Sequence, residues 1–260
     1  MSTATSDTAG HGIRLVRVGE ATKLADDESA RAPEAAVSAL TAGGLAPFRV
    51  LSAPGLYWIV LREPAKTKKE QLVPQHRLRV WRAPGEVVSA LDIVNSSSDP
   101  GFDAEGRRAL LGVFPSALWE FDLTTGEGAP LSLPADTPRV MAPGYLADGR
   151  IVFEVVVEGE RQVRVCTRAG SVLEPQFTFP IAGRYVIADG RALVHGLDVL
   201  TVTRIGRTGP EVLAEIPVAP GLCHLSYDGR VLRHATDGCH EIVGVKAACV
   251  EREIDEAARA

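Results

Sequence analysis

Apolar and polar positions follow a short-range pattern along most of this chain, in runs of five to ten residues closed by Gly, Pro or Asp. The clearest stretch begins at Pro143-Gly-Tyr-Leu-Ala and turns at Asp148-Gly149. Arg150-Ile-Val-Phe-Glu-Val-Val-Val157 then reads as a largely buried strand, and Glu158-Gly-Glu-Arg161 as the next turn. Gln162-Val-Arg-Val-Cys-Thr-Arg168 alternates polar with apolar, the period of a half-buried strand. After Ala169-Gly170-Ser171, residues Val172 to Phe179 supply a fourth strand bounded by Pro180.

That unit repeats. Asp103-Ala-Glu-Gly106-Arg107, Asp148-Gly149-Arg150, Asp189-Gly190-Arg191 and Asp228-Gly229-Arg230 recur at intervals of about 40 residues. An Asp-Gly pair suits a tight hairpin, because Gly takes positive φ freely and Asp tolerates it. The same four-strand plan fits residues 47–94, 95–136, 137–180 and 181–220, with Ala53-Pro54-Gly55 as the first turn.

The last unit, 221–246, is one strand short, while Ile13-Arg-Leu-Val-Arg-Val18 has no unit of its own. The pattern therefore predicts an all-β, five-bladed β-propeller in which the N-terminal strand, within residues 12–19, closes the last blade. Closure removes two exposed sheet edges at once. Residues 1–11 read as a disordered start and 247–260 as a charged tail. Pro33 to Ala42, followed by Gly43-Gly44, reads as a short connecting helix. A β-sandwich followed by a second β domain would also use many short strands. The 40-residue spacing favours the propeller.

The runs Leu146-Ala-Asp-Gly-Arg-Ile-Val-Phe153, Ile187-Ala-Asp-Gly-Arg-Ala-Leu-Val194 and Ser226-Tyr-Asp-Gly-Arg-Val-Leu232 resemble the Asp-Gly-Arg/Lys turn of TolB-type, WD-like propeller repeats. The Ser-Pro that usually precedes Asp-Gly is absent, as is a Trp-Asp pair. The resemblance is to a repeat; it implies a fold and a habit of binding partners.

Charge narrows the function classes. The net charge is −5, scattered along the chain, which lacks the basic footprint of a nucleic-acid binder. The apolar runs are far shorter than the 18–20 residues needed to cross a bilayer as a helix. Cys166, Cys223, Cys239 and Cys249 have neither C-x-x-C spacing nor disulfide-scaffold density. A cytoplasmic location is expected, with a protein partner and with no nucleic acid, membrane or cofactor. The oligomeric state is left open.

Chemistry is sparse. Propeller sites use one face, built from the inter-blade linkers and the loops between second and third strands. The long loop Arg62 to Gln75 carries Lys66, Lys68 and Lys69, a basic finger suited to an acidic partner surface. Arg139 and Asp198 are further partner-binding candidates on the same face, and Asp99, Asp198 and Asp237 are possible axial carboxylates. In the last blade, Cys223, His224, His234, Cys239 and His240 cluster in sequence, with His234 and His240 the weak metal candidates. Cys239 and His240 are consecutive in a strand and point to opposite faces. No Gly-x-Ser-x-Gly elbow or phosphate loop occurs. Trp58, Trp81 and Trp119 fall in predicted strands and are assigned to the core. The reading is a non-enzymatic scaffold. The alternative is a five-bladed hydrolase acting on a sugar, small ester or phosphate.

Overall fold

The structure, a computed structural model, describes residues 12–20, 33–41, 46–62, 75–82, 86–94, 100–113 and 116–250. Five antiparallel four-stranded sheets form the blades of a β-propeller. Blade 1 comprises β2 (Ala46–Ala53), β3 (Leu56–Arg62), β4 (Gln75–Arg82) and β5 (Glu86–Val94). Blade 2 comprises β6 (Gly101–Phe102), β7 (Arg108–Val113), β8 (Ala117–Asp122) and β9 (Gly128–Leu131). Blade 3 holds β10 (Met141–Tyr145), β11 (Ile151–Val157), β12 (Glu160–Ala169) and β13 (Val172–Pro180). Blade 4 holds β14 (Tyr185–Ala188), β15 (Ala192–His195), β16 (Val199–Ile205) and β17 (Pro210–Pro217).

Blade 5 is built from both ends of the chain. β18 (Gly221–Leu225), β19 (Val231–Ala235) and β20 (Gly238–Val243) are completed by β1 (Arg14–Gly19), which pairs antiparallel with β20. The expected closure is therefore present. Ile13 is 2% exposed and packs, with Leu15, into the apolar cluster shared by blades 4 and 5.

The core lies in the seams between blades, which explains the near-continuous apolar run of β11. Ile151, Phe153 and Val155 face blade 2, and Val152 on the other face meets blade 4. Both faces of the sheet are covered, so alternation disappears. The fifth seam is filled differently. The helix α1 (Glu34–Thr41) places Ala36 and Leu40 against Tyr57 and Trp81, and Tyr57 stacks on Tyr227 of blade 5. Residues 245–250 are helical, and Val245, Ala248 and Cys249 join the seam between blades 4 and 5.

The repeated turn has a structural reason for its arginine. Arg150 returns to Asp148 at 2.8 Å, Arg191 to Asp189 at 3.2 Å and Arg230 to Asp228 at 2.7 Å. In blade 2 the partner of Asp103 is Arg108, at 3.1 Å, rather than the Arg107 of the sequence signature. The turns also differ in kind. In blade 4 Asp189 and Gly190 both have positive φ, within the three residues that join the paired Ala188 and Ala192, and the Arg191 N–H donates to Ala188. In blade 3 only Gly149 has positive φ, and the Leu146 N–H reaches the Arg150 carbonyl across a longer turn. Trp58 and Trp81 are buried as expected, but Trp119 is half-buried and stacks on Phe121, which packs against the blade 1–2 cluster.

Candidate functional site

Up-and-down connectivity sorts the loops. Inter-blade linkers and second-to-third loops leave the blades at one end, here the upper end; first-to-second and third-to-fourth turns leave at the lower end. The lower end is tied together: Gly55 N–H donates to Tyr227 and Ala147 N–H to Gly190, both between neighbouring blades. Arg150, buried, also donates to the carbonyls of Gly206 and Ile205 in blade 4, at 2.8 and 3.0 Å. An open cleft of about 360 Å³ lies at that end of blade 4, lined by Arg204 and the 206–211 hairpin.

At the upper end, two buried arginines hold loops in place. Arg233 of β19 is 1% exposed and lies in a strand that is apolar apart from His234. It donates to the carbonyls of Gly196 (3.2 Å) and Leu197 (2.6 Å) in the blade 4 loop, and to Ala219 (2.9 Å) in the linker to blade 5. Arg164 of β12 donates to Asp136 (3.2 Å) and Thr137 (2.9 Å) in the linker between blades 2 and 3. A planar guanidinium with several donors suits this bridging of separate carbonyls.

Exposed apolar side chains also lie at this end of blades 3 to 5. Leu197 and Leu222 are each 51% exposed, and Val199 and Val156 are also exposed. Asp198 sits between Leu197 and Val199 and is exposed; its carbonyl accepts the Val218 N–H at 2.9 Å. Exposed side chains on a backbone fixed by buried hydrogen bonds form a preorganised surface, which lowers the ordering cost of association. Val172 and Val212, also exposed, belong to the lower half.

Beneath this surface lies a polar group between blades 3 and 4. Glu154 of β11 is 2% exposed and has Arg161 at 3.0 Å. Tyr185 and His195 stand opposite each other across β14 and β15, both buried, with His195 Nε2 3.4 Å from the Thr203 hydroxyl. The Tyr185 hydroxyl donates to the carbonyl of Ala142, which has φ +43° at a bulge of the innermost strand β10. Burial pushes the Glu154 carboxyl above the usual range, against the pull of Arg161 and Arg184. Burial, with the Glu154 charge, also raises Tyr185, and burial lowers His195. Each shift favours the neutral form, as a dry seam requires. The group's chemistry is to tie blade 3 to blade 4.

Of the sequence candidates, Arg139 and Asp198 both emerge at the upper end, on the blade 2–3 linker and the blade 4 loop, and both are exposed. Lys66, Lys68, Lys69 and Asp99 lie outside the described residues, as do residues 1–11 and 251–260. His234 is opposite Cys239, with Nε2 and Sγ 3.9 Å apart, whereas His240 is opposite Arg233. Pairing thus puts His234 and His240 on opposite faces. His234 instead meets His224, ring centres 4.7 Å apart, and His240 is 4.0 Å from Asp237. Among the described residues, no three His, Cys, Asp or Glu side chains gather as a metal-ligand set. Leu197, exposed beside Asp198 in the short blade 4 loop, is not among the residues that the sequence singles out.

No family model matches the sequence. No curated protein matches it either. Among solved structures, acylaminoacyl peptidase from Pyrococcus horikoshii is similar at 13% identity and a TM-score of 0.50, over 74% of this chain and 35% of that one. TolB from Acinetobacter baumannii is similar at 16% identity and a TM-score of 0.48, over 75% of this chain and 54% of that one. The chain matches about a third of the peptidase and half of TolB, and at these identities the likeness is one of fold.

Proposed function

We propose that this chain is a non-enzymatic binding module that engages a protein partner through the upper face of blades 3 to 5. The supporting observation is Leu197: half-exposed, flanked by Asp198, on a backbone fixed by Arg233. Apolar side chains exposed at one end of the ring give a partner apolar area to bury, which favours association. Asp198 and Arg139 add charge at the rim, where it steers encounter more than it adds affinity. A net charge of −5 supports a protein rather than a nucleic acid as partner. A cytoplasmic setting belongs to the same proposal, supported by four free thiols, three of them buried.

The alternative, a hydrolase acting on a sugar, small ester or phosphate, draws on Glu154, whose carboxyl is held toward the acid form that a general acid uses. An exposure of 2% weighs against it, since a catalytic acid must reach its substrate.

Affinity capture from native lysate tests the proposal. The parent is compared with Leu197→Asp/Leu222→Asp at the upper end and with Val172→Asp/Val212→Asp at the lower end. A stoichiometric protein partner lost at least about tenfold by the upper variant alone supports the reading. A partner lost only by the lower variant refutes it. Lys66→Ala/Lys68→Ala/Lys69→Ala measures the share of the basic loop.

A further inference from the structure

Among the described residues, β1 is the one strand whose blade lies elsewhere in the sequence, and it pairs with β20 alone. Its ladder runs from Arg14 opposite Val243 to Gly19 opposite Cys239. Its anchoring is local: Ile13 and Leu15 enter the blade 4–5 cluster, while Arg14, Arg17 and Val18 are exposed. β20 is shaped to receive it. At Gly244, just past the end of β20, a side chain would place its Cβ 2.3 Å from the Gly12 carbonyl oxygen. The entry to β1 therefore lies in a notch that only glycine leaves open.

The next element does not depend on β1. α1 is held by blade 1, through Tyr57, Trp81 and an Arg79 donation to the Leu40 carbonyl at 2.9 Å. β1 is thus an exchangeable unit. Its site on β20 is complementary to one sequence, and every copy of the chain carries that sequence.

We propose that the β20 edge is an interaction surface for β1 of a second copy of this chain, giving a reciprocal strand-exchanged dimer. Contacts within one chain and between two chains are then identical. The balance is set by the effective concentration of a strand linked to its own blade, and linked sites reach effective concentrations on the order of millimolar. Exchange becomes visible as chain concentration approaches that value. Two protomers reciprocally exchanged leave no edge for a third, so assembly stops at the dimer.

Two full-length variants, Leu15→Cys and Ile242→Cys, provide the test. Positions 15 and 242 face each other across the ladder, at a separation a disulfide spans. The variants are mixed in equal amounts, equilibrated under reductant, then oxidised. A bridge between positions 15 and 242 in this mixture requires one chain's β1 to lie on the other's β20. The expected result is a covalent dimer carrying that peptide pair by mass spectrometry, abundant after mixing at about 1 mM and at least tenfold scarcer at about 1 µM. No such bridge from folded variants at either concentration overturns the proposal. Light scattering on the unsubstituted chain guards against a variant that fails to fold. A dimer fraction rising over the same range is expected, and a monomer throughout overturns the proposal.

Discussion

The guanidinium of Arg233 donates to the carbonyl of Leu197 at 2.6 Å, so a cation buried in blade 5 fixes the backbone of an exposed residue in blade 4. The proposed binding surface and the ring architecture are joined at that bond. Leu197 is apolar and in water, and its loop is held from below by a side chain that also reaches Gly196 and Ala219.

Replacing that side chain removes the donors of three carbonyls. Arg233→Met is expected to cost about 2–4 kcal/mol, from buried acceptors left unmet, and to lower the melting temperature by roughly 5–12 °C. Arg233→Lys falls between, because an ammonium lacks the fork that reaches separate acceptors. Thermal melts of the three proteins check this, and equal melting temperatures contradict it.

Glu154 makes stability depend on pH in an unusual direction. Burial raises its carboxyl pKa, more than Arg161 and Arg184 lower it. A group with a raised folded pKa contributes stability in full below the unfolded value, about 4.3 for Glu. That contribution is lost as pH rises through the folded value. Glu154→Gln keeps the neutral form at every pH. Its melting temperature, taken relative to the parent, should rise by a few degrees between pH 4 and pH 7. A difference constant over that range contradicts the assignment and places the weight on the Arg161 contact.

β1 closes the ring through two apolar anchors. Deleting Met1 to Gly19 should lower the melting temperature by several degrees. Ile13→Ala alone should lower stability by about 2–4 kcal/mol, the range for a buried isoleucine truncated to alanine. Unchanged melting curves would mean that the last blade is stable with three strands.

Two turn glycines separate backbone strain from inter-blade contact. Both Gly149 and Gly190 have positive φ, which costs an L-residue about 1–2 kcal/mol. A Cβ at Gly149 meets nothing within 4 Å, but one at Gly190 meets the Ala147 Cβ and backbone N of the neighbouring blade at 3.0 Å. Gly190→Ala should therefore destabilise more than Gly149→Ala in denaturant titrations. Equal losses would show that the seam relaxes around the added carbon.

The fold was legible because a repeat multiplies weak signals. One Asp-Gly turn predicts a hairpin; four at even spacing predict blades, and the orphan strand Ile13 to Val18 then has one place to go. Side-chain partnerships were less legible, because they depend on register. Nothing local makes Asp103 choose Arg108 over Arg107, or sets His234 opposite Cys239 rather than His240. Tyr185 and His195 meet only once β14 and β15 are paired. Two signals were there to read. A glutamate inside Ile151–Val157 and an arginine inside Val231–Ala235 are polar groups in strands otherwise nearly apolar, and such groups mark positions where the core must supply partners.

Hydrogen exchange on the protein, alone and with its captured partner, tests the central claim most directly. The account predicts added protection at the upper end, over residues 156–161, 183–184, 196–199 and 218–222, with the lower turns 147–149, 189–190 and 227–229 unchanged. Protection confined to those lower turns, or spread evenly over the ring, would contradict it.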